Sequence, residues 1–447
     1  MLVMKFGGSS VADADCFRQV TELVAEAAGQ QPLVVLSAMG KTTNALFEAA
    51  AHAERGDEGA ALDRISGVLQ LHWETCLDLF EQKVPPSLET HLATLQEELS
   101  LFLRGVAMLK ELSPRTLDAI VSFGERLSTR IFHAHIERRL PALWCDARQV
   151  LRTDSRFGRG RPNRPAIRQL AERHWREPLG QGKILITQGY VGATEDGITT
   201  TLGRGGSDYS AALFGEGLGA EEVQIWTDVN GIMTCDPRIV ADAHPIARLS
   251  FAEAAELAAF GAKVLHPATI QPAVEAHIPV TVRNTKHPDG PYTTVTEEAR
   301  HERPITALAC RGPITVLTVH SSRMLEQPGF LARVFDIFRE HQVSVDLVAT
   351  AEVSISLTVD DTQALPAVCE ELRAFSRVEI SENRSIIALV GEQLKRTPGL
   401  SARIFTALAH INIEMISMGA NEINLSLVLQ QEDAEEAVRR LHRILLT

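Results

Sequence analysis

The chain lacks several features that would assign it to a specialised class of protein. Only six of its 447 residues are cysteine, they are scattered, and no two form a C-x-x-C pair. This argues against a zinc site, a redox motif and a disulfide framework. No apolar run approaches the ~20 residues of a membrane-spanning helix, and the N-terminal sequence does not have the pattern of a signal peptide. We therefore expect a cytoplasmic protein with reduced thiols, no metal site of its own and no membrane partner.

Positive charge is also scarce. Lysine and arginine number 44 against 57 aspartates and glutamates, a net charge of −13. The excess argues against broad binding to nucleic acid, although a local basic groove could still hold phosphates. With 45% hydrophobic and 23% charged residues, the chain has an ordinary globular composition and is neither disordered nor collagen-like.

Short apolar runs alternate with helix-period stretches over residues 1–295. Because strands buried on both faces and separated by helices are typical of parallel sheets, this part is predicted to be an α/β domain with a largely parallel central sheet. Residues 49–112 carry no strand signal and predict a helical excursion. The clearest strands are Leu2–Phe6, 32–37, 183–188 and 223–227.

The C-terminal part contains an internal repeat. After a turn-rich and charged boundary at 286–303, the segment 328–335 (PGFLARVF) recurs at 398–405 (PGLSARIF). Each copy is followed by two strand-like segments, 343–348 and 353–359 in the first, 411–416 and 423–428 in the second. The pattern predicts two βαββαβ units of the ferredoxin-like type.

The second copy lacks a closing strand, which would leave an open sheet edge. Residues 305–309 form an unassigned strand-like segment before the first copy. We expect this segment to complete the second unit. The first unit, about 313–382, would then be inserted in the second, formed by about 304–311 and 384–447.

Two stretches in the α/β part carry phosphate-binding chemistry. Lys5 precedes Gly7 and Gly8 at the end of a strand, where backbone N–H groups, a helix N-terminus and a lysine charge can meet a phosphate. A plain turn is the alternative. Residues 40–42 resemble the end of a Walker A loop, but the required earlier glycine falls at Val35, so that interpretation fails. Ser37 and Thr43 remain as polar residues at a strand end.

The strongest local motif is GRGGSD at 203–208. Three glycines around one arginine favour an anion-binding nest, in which Arg204 can pair with a carboxylate and Asp208 can orient a lysine or a metal. A surface loop is the alternative. Glu125 beside Gly124, Asp228 at a strand tip and Lys263 are further candidates, each equally compatible with a structural role.

Taken together, these stretches resemble the aspartate kinases of the amino-acid-kinase family, and the repeat resembles their paired ACT domains. The resemblance implies an αβα sandwich plus two ACT domains. The matching stretches are 5–10 (KFGGSS), 34–38 (VVLSA), 124–125 (GE), 201–208 (TLGRGGSD), 225–228 (IWTD), 236–238 (DPR) and 260–267 (FGAKVLHP).

The resemblance implies transfer of the ATP γ-phosphate to the side-chain carboxylate of L-aspartate, the first step towards lysine, methionine and threonine, with Mg²⁺ carried by the nucleotide. Lys5 and Asp208 would be catalytic. The implied substrate residues are Ser37, Thr43, Glu125, Arg204, Gly205, Gly206 and Ser207. The implied ATP residues are Lys5, Phe6, Gly7, Gly8, Thr227, Asp228, Met233, Arg238, Lys263 and Val264. Met233 replaces a tyrosine that many relatives carry.

The regulatory half most resembles the lysine-inhibited subclass, which implies L-lysine as an allosteric inhibitor bound between ACT units of two subunits. A homodimer through the ACT units is expected, with a tetramer as the alternative. The implied effector residues are Met324, Gly329, Phe330, Leu331, Ser344, Val345, Asp346, Thr350 and Glu352. Gln327 and Ala351 depart from that subclass.

Two other functions are alternatives to this one. A kinase of glutamate or acetylglutamate would resemble only the N-terminal part, and the paired ACT tail disfavours it. A catalytically silent amino-acid sensor would be expected to lack Lys5, Arg204 or Asp208, and all three are present. No fused homoserine dehydrogenase is expected.

Overall fold

The computed structural model describes residues 1–261, 265–301, 303–325, 328–419 and 422–446. The chain divides into two compact units. Unit 1 comprises Met1–Ile232, Ala247–Phe251 and Val264–Ala299, and unit 2 comprises Met233–Ile246, Ala252–Lys263 and Arg300–Thr447. Two segments from within residues 1–295 thus group with the C-terminal part of the chain.

Unit 1 is built on a mostly parallel sheet. Its strands are β1 (Leu2–Phe6), β2 (Pro32–Leu36), β3 (Ala142–Cys145), β4 (Ile184–Gln188), β5 (Val191–Ala193), β6 (Thr199–Thr201), β7 (Glu222–Thr227), β8 (Arg248–Ser250), β9 (Val280–Asn284) and β10 (Thr293–Thr296). In the described part of the chain, eight of these form a sheet in the order β3-β4-β2-β1-β7-β9-β10-β8. Among the strand pairs described in this sheet, only β9–β10 is antiparallel. Strands β5 and β6 form a separate antiparallel pair.

The helices up to this point are α1 (Ala14–Glu26), α2 (Thr42–Glu54), α3 (Glu58–Leu79), α4 (Pro86–Leu109), α5 (Pro114–Val121), α6 (Phe123–Ile136), α7 (Arg164–Gly180), α8 (Gly206–Leu218), α9 (Phe251–Ala259) and α10 (Pro267–Glu275). The predicted helical excursion corresponds to α2, α3 and α4. The predicted α/β class with a largely parallel sheet is confirmed.

Burial explains why the central strands are so apolar. Strands β1, β2 and β4 are buried at every position, as expected for parallel strands covered on both faces. The polar exceptions stand at or near their carboxyl ends: Lys5 in β1 and Thr187 and Gln188 in β4. A polar side chain buried at a strand end needs a specific partner or a ligand, so these exceptions mark one edge of the sheet.

Unit 2 contains the repeat. Its strands are β11 (Ala307–His320), β12 (Val348–Thr350), β13 (Ser354–Val359), β14 (Arg377–Val390), β15 (Ile413–Met418) and β16 (Asn424–Gln430), and its helices are α11 (Phe330–Glu340), α12 (Leu365–Arg373), α13 (Leu400–Ala407) and α14 (Ala434–Leu445). Helix α9 also belongs to this unit from Ala252 onward. Within the described ranges, the six strands form one sheet in the order β12-β13-β11-β14-β16-β15. Each copy has its own apolar core.

The long strand β11 serves both copies. Its first half, from Ala307 to Arg311, pairs with residues 386–390 of β14, which lie next to β16. After a register shift between Arg311 and Ile314, its second half pairs with β13 and with the first half of β14. The strand-like segment 305–309, which we expected to complete the second unit, is therefore paired from Ala307 onward.

One predicted strand is wrong in extent. Residues 343–347 are not a strand, and β12 begins only at Val348. Val343 and Leu347 are both buried, and burial still alternates along this segment, so the period of two that suggested a strand is real although regular pairing begins later. Asp346 and Leu347 together face the single residue Thr358: the Asp346 N–H donates to its carbonyl, and the Leu347 carbonyl accepts from its N–H. The Leu347 N–H donates to the Thr358 hydroxyl. This irregular pairing, with two residues opposite one, is why the regular ladder starts only at Val348.

In the part of the chain that the structure describes, no helix combines the length and the apolarity needed to span a bilayer.

Candidate active site

The candidate site lies at the carboxyl edge of the central sheet. Phe6, at the end of β1, is in register with Leu36 of β2 on one side and Trp226 of β7 on the other. The Phe6 and Trp226 rings stack with centroids 5.9 Å apart. The loops that follow these strands therefore emerge side by side, at the edge where open α/β sheets bind ligands.

A buried ion pair joins β1 to α8. Lys5 is only 8% exposed, and its Nζ lies 2.7 Å from Oδ1 of Asp208 in the first turn of α8. The Nζ also lies beside Gly7, where an added Cβ would be 3.4 Å away. The structure thus brings together the two predicted catalytic residues and holds the ammonium group in a fixed place next to a glycine turn.

The turn after β1 contacts the turn after β2 directly. A Cβ on Gly8 would lie 2.9 Å from the Gly40 carbonyl oxygen and 3.0 Å from that of Ala38, so only glycine fits there. The Gly40 N–H donates to the Gly8 carbonyl at 3.0 Å. This contact places Gly7 and Gly8 next to the loop that carries Ser37 and leads to Thr43 at the start of α2.

Helix α6 brings a buried carboxylate to the same loop. A Cβ on Gly124 would come within 2.7 Å of the Ala38 side chain, so the helix packs tightly there. Glu125 is 3% exposed, and its Oε2 has no hydrogen-bond partner among the described residues. Burial raises the pKa of Glu125 to about 8, against the opposing effect of the Ala38 backbone amide. A buried carboxylate oxygen without a partner suits a cationic group of a ligand.

The glycine-rich loop before α8 adopts the conformation expected of a nest. Gly203 and Gly205 have positive φ values of 78° and 72°, which favour glycine. A Cβ on Gly206 would lie 2.5 Å from the Tyr190 ring. Ser207 packs against Gly189, where an added Cβ would be 2.6 Å from the serine side chain. The N-terminus of α8 has no side-chain cap. The Gly206 N–H donates to the Gly203 carbonyl, so the N–H groups that follow it in the first turn are the ones available for an anion.

Arg204 stands at the outside of this loop. Its side chain is exposed, and it makes no ion pair with any residue that the structure describes. The structure therefore places Lys5, Asp208, Glu125, Ser37, Thr43 and the 203–207 loop at one sheet edge.

Asp118 is a functional candidate that the sequence analysis missed. It is 2% exposed and accepts hydrogen bonds from the Gly158 N–H (3.0 and 2.9 Å), the Thr201 N–H (2.9 Å) and the Thr201 hydroxyl (2.7 Å). Burial raises its pKa, while these hydrogen bonds act in the opposite direction. The carboxylate joins the 154–160 loop to β6, just before Gly203. The available signal was a single aspartate within the apolar run 117–121 (LDAIV) of helix α5.

Two polar residues that follow β4 or end it were also missed. The buried Gln188 accepts from the Ala147 N–H at 2.8 Å and donates to the Thr129 hydroxyl at 2.9 Å. Tyr190 has a positive φ of 65°, and burial raises the pKa of its hydroxyl to about 12. Both side chains pack against the backbone around Glu125 and Gly206. No local sequence pattern indicated this role.

The predicted nucleotide residues beyond β7 are divided between the units. In unit 1, the Thr227 hydroxyl donates to Asp228 Oδ1 at 3.2 Å at the end of β7. Met233 belongs to unit 2, as does Arg238, whose exposed guanidinium pairs with Asp236 at 2.6 Å. Lys263 and Val264 lie outside the described residues. Unit 1 thus holds only Thr227 and Asp228 of this group among the residues described.

The predicted effector residues cluster around the first repeat copy in unit 2. Gly329 has a positive φ of 91° and caps α11, while Met324 and Val345 pack against the core of this copy. The Phe330 side chain is itself part of that core, so little of its surface is open to an effector. Leu331, Ser344, Thr350 and Glu352 are exposed. Asp346 is not free, because its Oδ1 lies 3.3 Å from Nη1 of Arg311.

Comparison with known proteins identifies the family. The model of the amino acid kinase family matches residues 1–284, and that of the ACT domain matches residues 317–370 and 387–445. The chain is 42% identical to lysine-sensitive aspartokinase 3 of Escherichia coli (strain K12), over 99% of this chain and 98% of that protein. The chain belongs to the aspartokinases. It is also 41% identical to the chloroplastic aspartokinase 1 of Arabidopsis thaliana, over 99% of this chain and 79% of that one.

Solved aspartokinase structures have the same fold. E. coli aspartokinase III in complex with lysine and aspartate (T-state) superposes with a TM-score of 0.84 at 41% identity, covering 100% of both chains. The same enzyme in complex with aspartate and ADP (R-state) gives 0.83, with the same identity and coverage. The aspartate kinase of Clostridium acetobutylicum gives 0.82 at 26% identity over 99% of each chain.

The raised pKa of Glu125 predicts a pH dependence for this aspartokinase. If Glu125 holds the ammonium of an amino-acid substrate, it must be ionised, and its ionised fraction in the free enzyme increases as the pH rises through about 8. We expect kcat/KM for aspartate to rise over this range. Glu125→Gln should lower kcat/KM and remove the rise, measured as initial rates from pH 6 to 9.

Thermal unfolding of the same variant gives a second readout. Because the folded pKa lies above the ordinary value, ionisation of Glu125 destabilises the fold as the pH rises. Glu125→Gln should therefore have a higher Tm than the parent at pH 9, with little difference at pH 5. The exposed Glu137 at the end of α6 provides the control Glu137→Gln. A pH profile of Glu125→Gln that parallels the parent's would contradict the assignment.

The contacts of Asp118 predict a loss of substrate affinity in Asp118→Asn. The amide would turn a donor towards the Gly158 or Thr201 N–H, which loosens the strand leading into Gly203. Hydrogen bonds to a charged group contribute ~1.5–3 kcal/mol, so the KM for aspartate should rise roughly tenfold or more, with a smaller change in kcat. Thr201→Val, which removes one donor only, should give a smaller effect in the same direction. A lower Tm with unchanged KM would show a purely structural role.

Proposed function

We propose that this aspartokinase transfers the γ-phosphate of ATP to the side-chain carboxylate of L-aspartate, giving 4-phospho-L-aspartate, and that L-lysine inhibits it. The reaction would take place in the cytoplasm as the first step of the diaminopimelate route to lysine and of methionine and threonine synthesis. The observation that carries the proposal is that a buried lysine and a buried glutamate, one of whose carboxylate oxygens has no partner among the described residues, lie at one sheet edge. Such a pair offers a cation for a phosphoryl group and an anion for an amino group.

Each substrate group has a partner in this chain. Lys5 would neutralise the transferring phosphoryl group, with Gly7 and Gly8 and the N-terminus of α8 supplying backbone N–H groups. Glu125 would bind the substrate ammonium, and Arg204 would clamp the α-carboxylate. Ser37, Thr43 and Ser207 would complete the pocket. No general base is needed, because the attacking carboxylate is already ionised at neutral pH.

Nucleotide binding is proposed for Thr227 and Asp228 and, from the resemblance, for Phe6, Met233, Arg238, Lys263 and Val264. In the described ranges, no group of three or more His, Cys, Asp or Glu side chains could hold a metal ion. Asp208, the acidic residue next to Lys5, is already paired with that lysine. This donor set fits a Mg²⁺ that is held mainly by phosphate oxygens and water. When bound there, Mg²⁺ would reduce the negative charge of the phosphates.

Lysine is proposed as the effector because the chain resembles a lysine-sensitive enzyme that has been solved with lysine. The two ammonium groups of lysine match the carboxylates of Asp346 and Glu352, while Ser344 and the Gly329 turn suit its carboxylate. Residues 1–295 would form the catalytic domain and 304–447 the regulatory region. The pairing of Ala307–Arg311 with residues 386–390 supports insertion of the first ACT unit in the second.

A homodimer through the ACT units is proposed, with a tetramer as the alternative. The two outermost strands of the unit 2 sheet, β12 and β15, carry exposed apolar side chains. Val348 is 37% exposed, Ile416 47% and Met418 41%. Apolar side chains on unpaired edge strands are typical of surfaces that pair with another chain.

Release of ADP tests the reaction. The purified protein should release ADP from ATP and Mg²⁺ only when L-aspartate is present. Lys5→Ala should reduce turnover roughly a thousandfold while its circular dichroism spectrum stays that of the parent. Lys183→Ala is the matched control, because Lys183 precedes β4 at the opposite end of the strands. Turnover with another amino acid in place of aspartate, or near-normal activity of Lys5→Ala, would contradict the proposal.

The effector site is tested by Glu352→Ala. Loss of one carboxylate should raise the lysine concentration for half-inhibition roughly tenfold, the equivalent of ~1.4 kcal/mol, without changing activity in the absence of lysine. Glu370 on α12 is also exposed, and Glu370→Ala should leave inhibition unaltered. Unchanged inhibition in Glu352→Ala would mean that the effector binds elsewhere.

A further inference from the structure

Arg311 connects three elements of unit 2 through one guanidinium group. Its Nη1 lies 3.3 Å from Asp346 Oδ1 and donates to the Ala259 carbonyl at the end of α9, at 3.2 Å. Its Nη2 contacts the Asp360 carboxylate, which follows β13. The side chain is 27% exposed. Among the proposed effector residues that the structure describes, Asp346 is therefore the one linked directly to α9 by a charged side chain.

Helix α9 is attached to the C-terminal part of unit 2 along its length. Glu253 is fully buried, and its Oε1 accepts from the Thr306 hydroxyl at 2.6 Å. Glu256 Oε2 accepts from the Asn424 amide at 2.7 Å. Past the end of the helix, Gly261 lies so close to β11 that an added Cβ would be 3.2 Å from the Cys310 carbonyl oxygen. The bond from Arg311 is the attachment at the last turn.

The carbonyl that Arg311 binds is one of the last of the helix. Such carbonyls have no partner within the helix and carry the negative end of its dipole. A guanidinium group there stabilises the end of the helix. Arg311 shares its charge between this carbonyl and two carboxylates, so the strength of its bond to Ala259 depends on what else Asp346 binds.

An ammonium group at Asp346 would compete with Arg311 for that carboxylate. Once Asp346 is occupied, the guanidinium group keeps only Asp360 and the Ala259 carbonyl. A ligand shifts an equilibrium only if it interacts differently with the two states, and this redistribution of one positive charge supplies such a difference. The end of α9 leads along the chain to Lys263, four residues after Ala259, which is a proposed nucleotide residue.

We propose that Arg311 couples occupancy of Asp346 by the effector ammonium to the position of the C-terminal end of α9. Arg311 is a positioning residue in this scheme, since it contacts neither aspartate nor the nucleotide. The inference rests on the proposed lysine site and goes beyond it, because it names the residue that transmits the signal. Loss of Arg311 should not weaken lysine binding but should weaken inhibition by lysine, and this difference makes the proposal testable.

The test uses Arg311→Ala in the full-length enzyme, with lysine binding measured by calorimetry and inhibition by ADP release. Removal of a competing cation should leave the lysine Kd unchanged or lower it. Removal of the link should nevertheless raise the activity remaining at saturating lysine about fivefold or more, a coupling loss within the usual range for allosteric sites. Activity without lysine should match that of the parent.

Arg384→Ala is the matched control. Arg384 is a mostly buried arginine of the same sheet that pairs with Glu414 at 2.7 Å, and its guanidinium group bonds to Glu414 and the Glu382 carbonyl and not to α9. This variant should be inhibited like the parent. If saturating lysine inhibits Arg311→Ala as fully as the parent, the coupling role is wrong. A parallel loss of lysine binding and inhibition would likewise overturn it, because Arg311 would then only shape the site.

A reciprocal measurement separates this proposal from the one on which it rests. In the parent, saturating MgADP should change the lysine Kd by the same factor by which lysine changes the affinity for ADP. In Arg311→Ala this factor should approach one. A parent enzyme that neither binds lysine nor is inhibited by it overturns the effector assignment and the coupling together. A factor that is unchanged in Arg311→Ala overturns the coupling alone.

Discussion

The arrangement of unit 1 depends on the ion pair between Lys5 and Asp208. Lys5 is almost fully buried in the central strand of the sheet, where an ammonium group without a partner would be strongly destabilising. Asp208 provides the partner from the first turn of α8. The direction of that helix therefore follows from the need to neutralise one strand residue. The glycines before α8 allow the chain to turn into this position, and Asp118 fixes the strand from which the turn starts.

The two buried charges of the site are handled in opposite ways. Lys5 is neutralised within the fold, so its position is fixed before any ligand arrives. Glu125 keeps one oxygen without a partner, and its raised pKa records the cost of that burial. A ligand ammonium would remove this cost on binding. Burial of Glu125 thus lowers the stability of the free protein at the position where the substrate amino group would supply the missing partner. Binding sites commonly reduce stability in this way.

The sequence predicted the features that depend on neighbouring residues well, and those that depend on contacts between residues far apart in the chain poorly. The buried strands and the helices after them follow from hydrophobic period, and the 203–208 loop follows from its glycines. Asp118 was missed because its partners Gly158 and Thr201 are 40 and 83 residues away, and no local pattern encodes such a contact.

The motif around Phe330 shows that a local pattern can predict the backbone correctly and still leave the environment of a side chain undetermined. Its place in a repeated PGF/PGL motif marked the turn correctly, since Gly329 and Gly399 have the same left-handed conformation. The side chain that follows, however, fills the core of its own ACT copy. A repeat identifies a shared backbone, and both Phe330 and Leu400 are buried at the equivalent position. Whether such a residue faces ligand or core is decided by packing.

The position of Arg311 gives a physical reason for regulation to pass through β11. This strand belongs to both ACT copies, with its first half paired to the second copy and its second half to the first. Arg311 stands at the register shift between the halves, where the ladder is interrupted and a side chain can reach out of the sheet. The two copies are joined here and at the matching point of β14, which also serves both copies, so a displacement of the first copy relative to the second acts on this point of the strand. An arginine here senses the first copy through Asp346 and holds α9 through a helix-end carbonyl, so one change of partner can be communicated without disturbing either apolar core.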